Sequence, residues 1–155
     1  TRLPAGLFSI ILLLPVLELF GLYDHWPAWG LYASRIERVA LWIPRADRAK
    51  FPPTLQTHLA EIPDEPEWLR LKLDRWSLDA LHAPIYPQAR FQIGVSAAVI
   101  ERFQLRDNFR LQLDSPAGRF TTSRRRSEFN TWEELQSRIH AYHLNAQPRL
   151  TGFNP

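Results

Sequence analysis

The run LPAGLFSIILLLPVLELFGLY, residues 3–23, is the longest apolar run of the 155-residue chain. Glu18 is its only ionisable residue, and Arg2 and Asp24 bound it. A helix needs about 20 apolar residues to cross the hydrocarbon core of a bilayer. The run therefore predicts a transmembrane helix. A buried core helix and a secretory signal peptide are the two alternatives.

Aromatic residues follow this run directly. Tyr23, Trp26, Trp29 and Tyr32 have the amphipathic rings that lie at headgroup level in membrane proteins. A signal peptide would instead end in small residues. The pattern favours the transmembrane interpretation and extends the membrane-associated part of the chain over residues 1–34. Membrane lipids are therefore predicted partners.

Basic residues are denser after the apolar run than before it. Arg2 alone precedes the run. The basic residues that follow it are Arg35, Arg38, Arg45, Arg48 and Lys50. Since positive charge near a membrane helix stays on the cytoplasmic side, the distribution places the C-terminal domain in the cytoplasm.

Two residues within the run are costly in lipid. Pro15 leaves a backbone carbonyl without its helical partner and Glu18 carries a carboxylate, so both are tolerated best where neighbouring helices satisfy them. Other transmembrane helices or subunits are therefore predicted partners. Glu18, with Asp24 and His25 just beyond the run, is also a candidate polar site within the membrane or at its surface.

The rest of the chain has the length of one compact domain, residues 35–145, followed by a loose tail, residues 146–155. The 13 prolines against 6 glycines indicate stiff connections rather than flexible linkers. Cysteine is absent, which excludes disulfides, thiolate metal sites and cysteine nucleophiles in this sequence. The net charge of +3 suits lipid headgroups, phosphate and RNA alike and does not distinguish them.

Hydrophobic patterns predict three strand regions. Residues 37–43 (ERVALWI) are nearly continuously apolar, which predicts a central strand. Residues 68–74 alternate between apolar and charged side chains, as is typical of a strand with one exposed face. Residues 109–113 and 119–122 flank the turn sequence SPAG and predict a hairpin.

Helices are predicted over residues 53–62, 76–82 and 87–104 and from residue 131 onward. In the third helix, Phe91, Val95, Val99 and Phe103 recur every four residues and predict the buried side. The predicted fold is α+β: an N-terminal transmembrane helix, then a small domain with about four strands and two main helices packed on the sheet.

An arginine cluster is the densest positive charge in the domain. It consists of Arg124, Arg125 and Arg126, with Arg119 before and Arg138 beyond. Guanidinium groups bind phosphate through paired hydrogen bonds, so the cluster is a candidate site for anionic lipid or nucleic acid, and a solvated turn is the alternative. Aromatic residues are not interleaved with it, so nucleic acid is not favoured as a partner.

Catalytic signatures are missing from the sequence. It contains no GxSxG, no glycine-rich phosphate loop and no dinucleotide fingerprint. His140 and His143 lie three residues apart, but no recognisable motif supplies a third metal ligand. The sequence therefore predicts no catalytic residue, no metal and no cofactor.

A resemblance to known membrane proteins lies in two segments, GLYDHWPAWGLYASR (residues 21–35) and WSLDALHAPIYPQARFQIGV (residues 76–95). Together they resemble the C-terminal region of multi-pass bacterial membrane proteins, of the broad kind that includes the horizontally transferred transmembrane and DoxX-like groups. The resemblance implies that this chain is the last transmembrane helix and soluble tail of a larger protein. It transfers no catalytic residue, because the activities of those groups lie in helices outside this sequence.

The function predicted from these features is a membrane-tethered domain that serves as a docking or regulatory surface of a larger membrane protein. The alternative is the tail of a membrane enzyme or transporter whose active site lies in other helices. A second alternative is binding of anionic lipid or nucleic acid by the arginine cluster.

Overall fold

The computed structural model describes residues 37–116 and 123–142. The strands are β1 (Arg38–Pro44), β2 (Leu59–Glu61), β3 (Trp68–Leu71), β4 (Arg110–Asp114) and β5 (Arg126–Phe129). The helices are α1 (Pro53–Gln56), α2 (Leu73–Leu81), α3 (Ala89–Arg102) and α4 (Trp132–His140), and a 3₁₀ helix covers Arg45–Lys50. The predicted α+β class is confirmed.

The five strands form one antiparallel sheet in the order β2-β3-β1-β4-β5. β1 lies at its centre, as the apolar pattern of residues 37–43 predicts. The sheet has five strands rather than the predicted four because the chain is extended again at β2, where a continuous helix over residues 53–62 was expected. Helix α1 ends at Gln56 instead.

Alternate residues of each strand point to opposite sides of the sheet, which gives it an apolar inner face. One row of paired side chains crosses all five strands on this face: Leu59, Leu71, Leu41, Leu111 and Phe129. Leu41 and Leu111 are fully buried at its middle. Helices α3 and α4 contribute to the same core, so the helices form a layer over the inner face.

Helix α3 is buried along a wider side than the predicted row, of which Val99 is buried and Val95 and Phe103 pack against the core. Ile93, Ala97 and Ile100 are fully buried, whereas Phe91 is 44 % exposed. Small side chains on this side, including Gly94, allow the helix backbone to approach the sheet closely. The buried side of α3 therefore includes small residues beside the predicted row, and within that row Phe91 alone is exposed.

Helix α4 begins with the predicted capping box. The Thr131 side chain accepts a hydrogen bond from the backbone N–H of Glu134, and the Glu134 carboxylate accepts from the backbone N–H groups of Asn130 and Thr131. These backbone hydrogen bonds hold the pKa of Glu134 below its ordinary value. The cap fixes the start of the helix that covers the β5 side of the core.

The predicted membrane span lies outside the described residues, as do residues 119–122, expected as the second hairpin strand. Within residues 37–116 and 123–142, no helix is long and apolar enough to cross a membrane. On the side away from β1, β4 pairs with β5, which starts four residues after that expected strand.

Candidate binding site on the polar face of the sheet

The side of the sheet away from the helices is rich in arginine and tryptophan, and we call it the polar face. Its residues follow from strand alternation and register: Arg38, Ala40, Trp42, Trp68, Arg70, Arg110, Gln112, Asp114, Arg126 and Glu128. Arg38, Arg70 and Arg126 are exposed to solvent. The same strands that build the core thus present a charged surface on their other side.

One end of the polar face is closed by an arginine held between two tryptophans. The guanidinium carbon of Arg110 lies 4.5 Å from the centroid of the Trp42 ring and 4.9 Å from that of the Trp68 ring. The Arg110 side chain is 18 % exposed, and its guanidinium also forms an ion pair with Glu65, in the connection between β2 and β3. Three strands and this connection are tied together here by cation–π contacts and charge pairing.

A cavity of about 310 Å³ lies beside this group. Residues from β1, β3, β4 and β5 line it, together with Glu65: Arg38, Val39, Ala40, Trp42, Arg70, Gln112, Asp114 and Arg126. Ala40 lies between Arg38 and Trp42 on the polar side of the central strand. Its side chain is a single methyl group, which leaves space where its larger neighbours extend outward.

Both carboxylates that line the cavity are held by arginines. Glu65 pairs with Arg110, and Asp114 Oδ1 accepts a hydrogen bond from Nε of Arg126 at 2.9 Å. This hydrogen bond to Asp114 raises the pKa of Arg126 above its ordinary value. The acidic groups of the cavity are therefore largely neutralised by charges within the sheet.

Two further arginines of the cavity have no such partner. Within the described part of the chain, the side chains of Arg38 and Arg70 form no ion pair or hydrogen bond. In the register of the sheet, Arg38 pairs with Asp114, yet that carboxylate bonds to Arg126 on the other side. Arg70 lies opposite Trp42. Two guanidinium groups thus remain available to an anion in the cavity.

Neutral donors also border the cavity. The indole N–H of Trp42 is buried and has no hydrogen-bond partner among the described residues. Gln112 is only 8 % exposed, and its Nε2 donates to Oε1 of Glu128 at 2.9 Å. The indole nitrogen has almost no accessible surface, so it is closed off from the open part of the cavity.

The predicted arginine cluster is divided between two parts of the molecule. A side-chain N–H of Arg124 donates to the carbonyl of Ser115, the backbone N–H of Arg125 donates to the Ser115 hydroxyl, and Arg126 pairs with Asp114. These contacts hold the residues before β5 against the end of β4. The predicted turn at these positions is thus extended chain, with strand β5 starting at Arg126.

Arg138 belongs to the helical layer and not to the polar face. Its guanidinium carbon lies 4.6 Å from the centroid of the Tyr142 ring, which packs against the core. Burial raises the pKa of the Tyr142 phenol above its ordinary value. Of the predicted anion-binding residues that the structure describes, only Arg126 lines the cavity.

The remaining predicted site residues lie outside the described part of the chain. They are Glu18, Asp24, His25, Tyr23, Trp26, Trp29, Tyr32 and Arg119. No group of three or more His, Asp or Glu side chains that could hold a metal ion occurs among residues 37–116 and 123–142. The predictions for these residues stay predictions.

Sequence reasoning missed Arg38, Trp42 and Arg70 as site residues. A signal was present for Arg70, because residues 68–74 alternate between apolar and charged side chains, whereas the nearly continuous apolar residues 37–43 gave none for Arg38 and Trp42. The alternation predicted an exposed side of its strand, but not which exposed residues become neighbours. That information lies in the register between strands.

Comparison of the chain with protein-family models, with curated proteins and with solved structures found no match.

Proposed function

We propose that this chain is a membrane-tethered docking protein, and that its described domain binds an acidic segment of a partner protein on the polar face. The tether rests on residues 3–23 and on the aromatic and basic residues that follow them. The docking surface rests on one observation: Arg38 and Arg70 border a single cavity and have no partner within the described residues.

The composition of the polar face suits a protein partner. Tryptophan and arginine are the residues most enriched among those that dominate binding energy at protein interfaces. Arg110 is fixed between Trp42 and Trp68, so this part of the surface is ordered before a partner arrives. Ordering in advance reduces the entropy lost on binding.

A bilayer or a nucleic acid fits the polar face less well. Insertion into a bilayer needs protruding apolar side chains, and the large apolar residues exposed in the described domain, Leu78, Leu81 and Phe91, lie on α2 and α3. Single-stranded nucleic acid needs open aromatic rings on which bases stack, whereas Arg110 already occupies a face of both Trp42 and Trp68.

The docking surface is tested with poly-L-glutamate as the probe and the full chain in detergent micelles. Arg38→Ala and Arg70→Ala should each weaken binding by about two- to fivefold, as expected for exposed ion pairs, and the loss should shrink as salt is added. Arg75→Ala and Arg102→Ala are the matched controls, because these arginines are exposed on α2 and α3. Equal losses in both pairs would contradict a localised surface.

The tether is tested by extracting membranes that contain the full chain with alkaline carbonate. The chain should stay in the membrane pellet, since a helix that spans the bilayer is not removed by raising the pH. Release into the supernatant would contradict the tether and would leave the docking surface to be judged by the poly-glutamate experiment alone.

A further inference from the structure

We infer that the cavity around Ala40 receives a phosphorylated aromatic side chain of the partner segment, so that phosphorylation of the partner regulates docking. This inference rests on the proposed function, and it adds a ligand class and a form of regulation to the same surface. The cavity, the unpaired arginines and the tryptophan beside them each contribute a separate argument.

The size of the cavity sets the size of the group that enters it. Its volume of about 310 Å³ is at the lower end of the range of ligand pockets, roughly 300 to 1,000 Å³. A single large side chain fits this volume, whereas a whole peptide segment does not. The acidic segment therefore lies across the polar face and places one side chain above Ala40.

The charge of the cavity favours a dianion. Glu65 and Asp114 are paired with their own arginines, which leaves Arg38 and Arg70 as the unpaired charges. A phosphate monoester carries a charge of about −1.5 to −2 at neutral pH and offers three acceptor oxygens. A carboxylate side chain carries one negative charge and two oxygens, so it can satisfy only one guanidinium fork fully.

The aromatic part of the ligand is suggested by Trp42. This residue lines the cavity and is half-buried. An aromatic side chain in the cavity gains an edge contact with the part of Trp42 that lines it, and this contact leaves Arg110 on the face of the Trp42 ring. Phosphotyrosine combines the ring with the phosphate, whereas phosphoserine supplies the phosphate alone.

The experiment measures binding of small probes to the full chain in detergent micelles by calorimetry. The probes are O-phosphotyrosine, O-phosphoserine, tyrosine and inorganic phosphate. O-phosphotyrosine should bind about tenfold more tightly than each of the other three, because only it uses both the arginines and the tryptophan. Its affinity should also fall as the pH drops below about 6, where the phosphate gains a proton.

Two variants separate this inference from the docking surface itself. Ala40→Leu fills the cavity without changing charge, so it should weaken O-phosphotyrosine binding by a larger factor than poly-L-glutamate binding. Arg70→Lys keeps the charge but loses the planar fork, so it should weaken O-phosphotyrosine binding more than poly-L-glutamate binding. If the Ala40→Leu variant does not fold, the Arg70→Lys variant provides the test.

Each outcome decides one of the two proposals. Equal binding of O-phosphotyrosine and tyrosine, with poly-L-glutamate binding still dependent on Arg38 and Arg70, overturns the phosphate site and keeps the docking surface. Equal binding of O-phosphotyrosine and inorganic phosphate overturns the aromatic preference. Poly-L-glutamate binding that does not depend on Arg38 and Arg70 overturns the docking surface.

Discussion

The two faces of the sheet are built from neighbouring residues of the same strands and have opposite properties. Leu41 lies between two leucines on the inner face and is fully buried, whereas the next residue, Trp42, lies between Arg70 and Arg110 on the polar face. The inner face stabilises the fold by removing apolar surface from water, and this hydrophobic contribution does not require a particular orientation of the side chains. The polar face depends on charge and geometry. Residues that stabilise the sheet and residues that form the proposed binding surface therefore alternate along the same strand.

Leu41→Ala, on the inner face, should lower the free energy of unfolding more than Arg110→Ala or Arg70→Ala, on the polar face. The substitution leaves a void in the middle of the five-strand row, and large-to-small changes of this kind cost about 2–5 kcal/mol of unfolding free energy. Urea unfolding followed by circular dichroism measures this cost. Arg70→Ala on the polar face is the control and should change stability by less than about 0.5 kcal/mol. Similar losses for the two variants would show that the polar face also carries the stability of the sheet.

Arg110→Ala should have the next largest effect, because Arg110 is the most enclosed of the arginines on the polar face. Each of its two tryptophan contacts contributes about 0.5–1 kcal/mol, so the variant should lose about 1–2 kcal/mol in the same unfolding experiment. Tryptophan fluorescence should change as well, since Trp42 and Trp68 lose the cation between them. A loss no greater than that of Arg70→Ala would show that this end of the face is not fixed.

Glu134→Gln should have a small effect that depends on pH. Hydrogen bonds from the backbone N–H groups of Asn130 and Thr131 lower the pKa of Glu134 in the folded chain. The charged form therefore stabilises α4 above about pH 4.3, the ordinary pKa of a glutamate, and this contribution is lost as the pH falls through the lower, folded pKa. The wild type should be more stable than the variant at pH 7, and the difference should vanish in acid. A difference that persists in acid would contradict this role.

The fold was partly predictable because some of its determinants are local. The capping box of Thr131 and Glu134 needs only a spacing of three residues, and the apolar run of residues 37–43 predicts a central strand whatever pairs with it. β2 was missed because three residues carry almost no periodic signal and become a strand only by pairing with β3. The buried side of α3 was predicted only in part, because Ala97 packs through its smallness and adds little to an apolar pattern.

The site was less predictable than the fold because it is made by register. Arg70 lies opposite Trp42, and Asp114 lies between Arg38 and Arg126, only through pairing of residues that are far apart in sequence. The arginine cluster stood out because three of its members, Arg124, Arg125 and Arg126, are consecutive in the sequence, yet Arg138 lies in the helical layer. Density of charge along a chain does not show which charges share a surface.

A charge-reversal experiment tests the central claim most directly, namely that recognition is confined to the polar face. The full chain with Arg38→Glu and Arg70→Glu is compared with a chain carrying Arg75→Glu and Arg102→Glu, which has the same net charge. Binding of poly-L-glutamate is measured at low salt, where charge effects are largest. The first variant should lose binding by about tenfold or more and the second should keep it within about twofold. Equal binding by the two variants would contradict the claim.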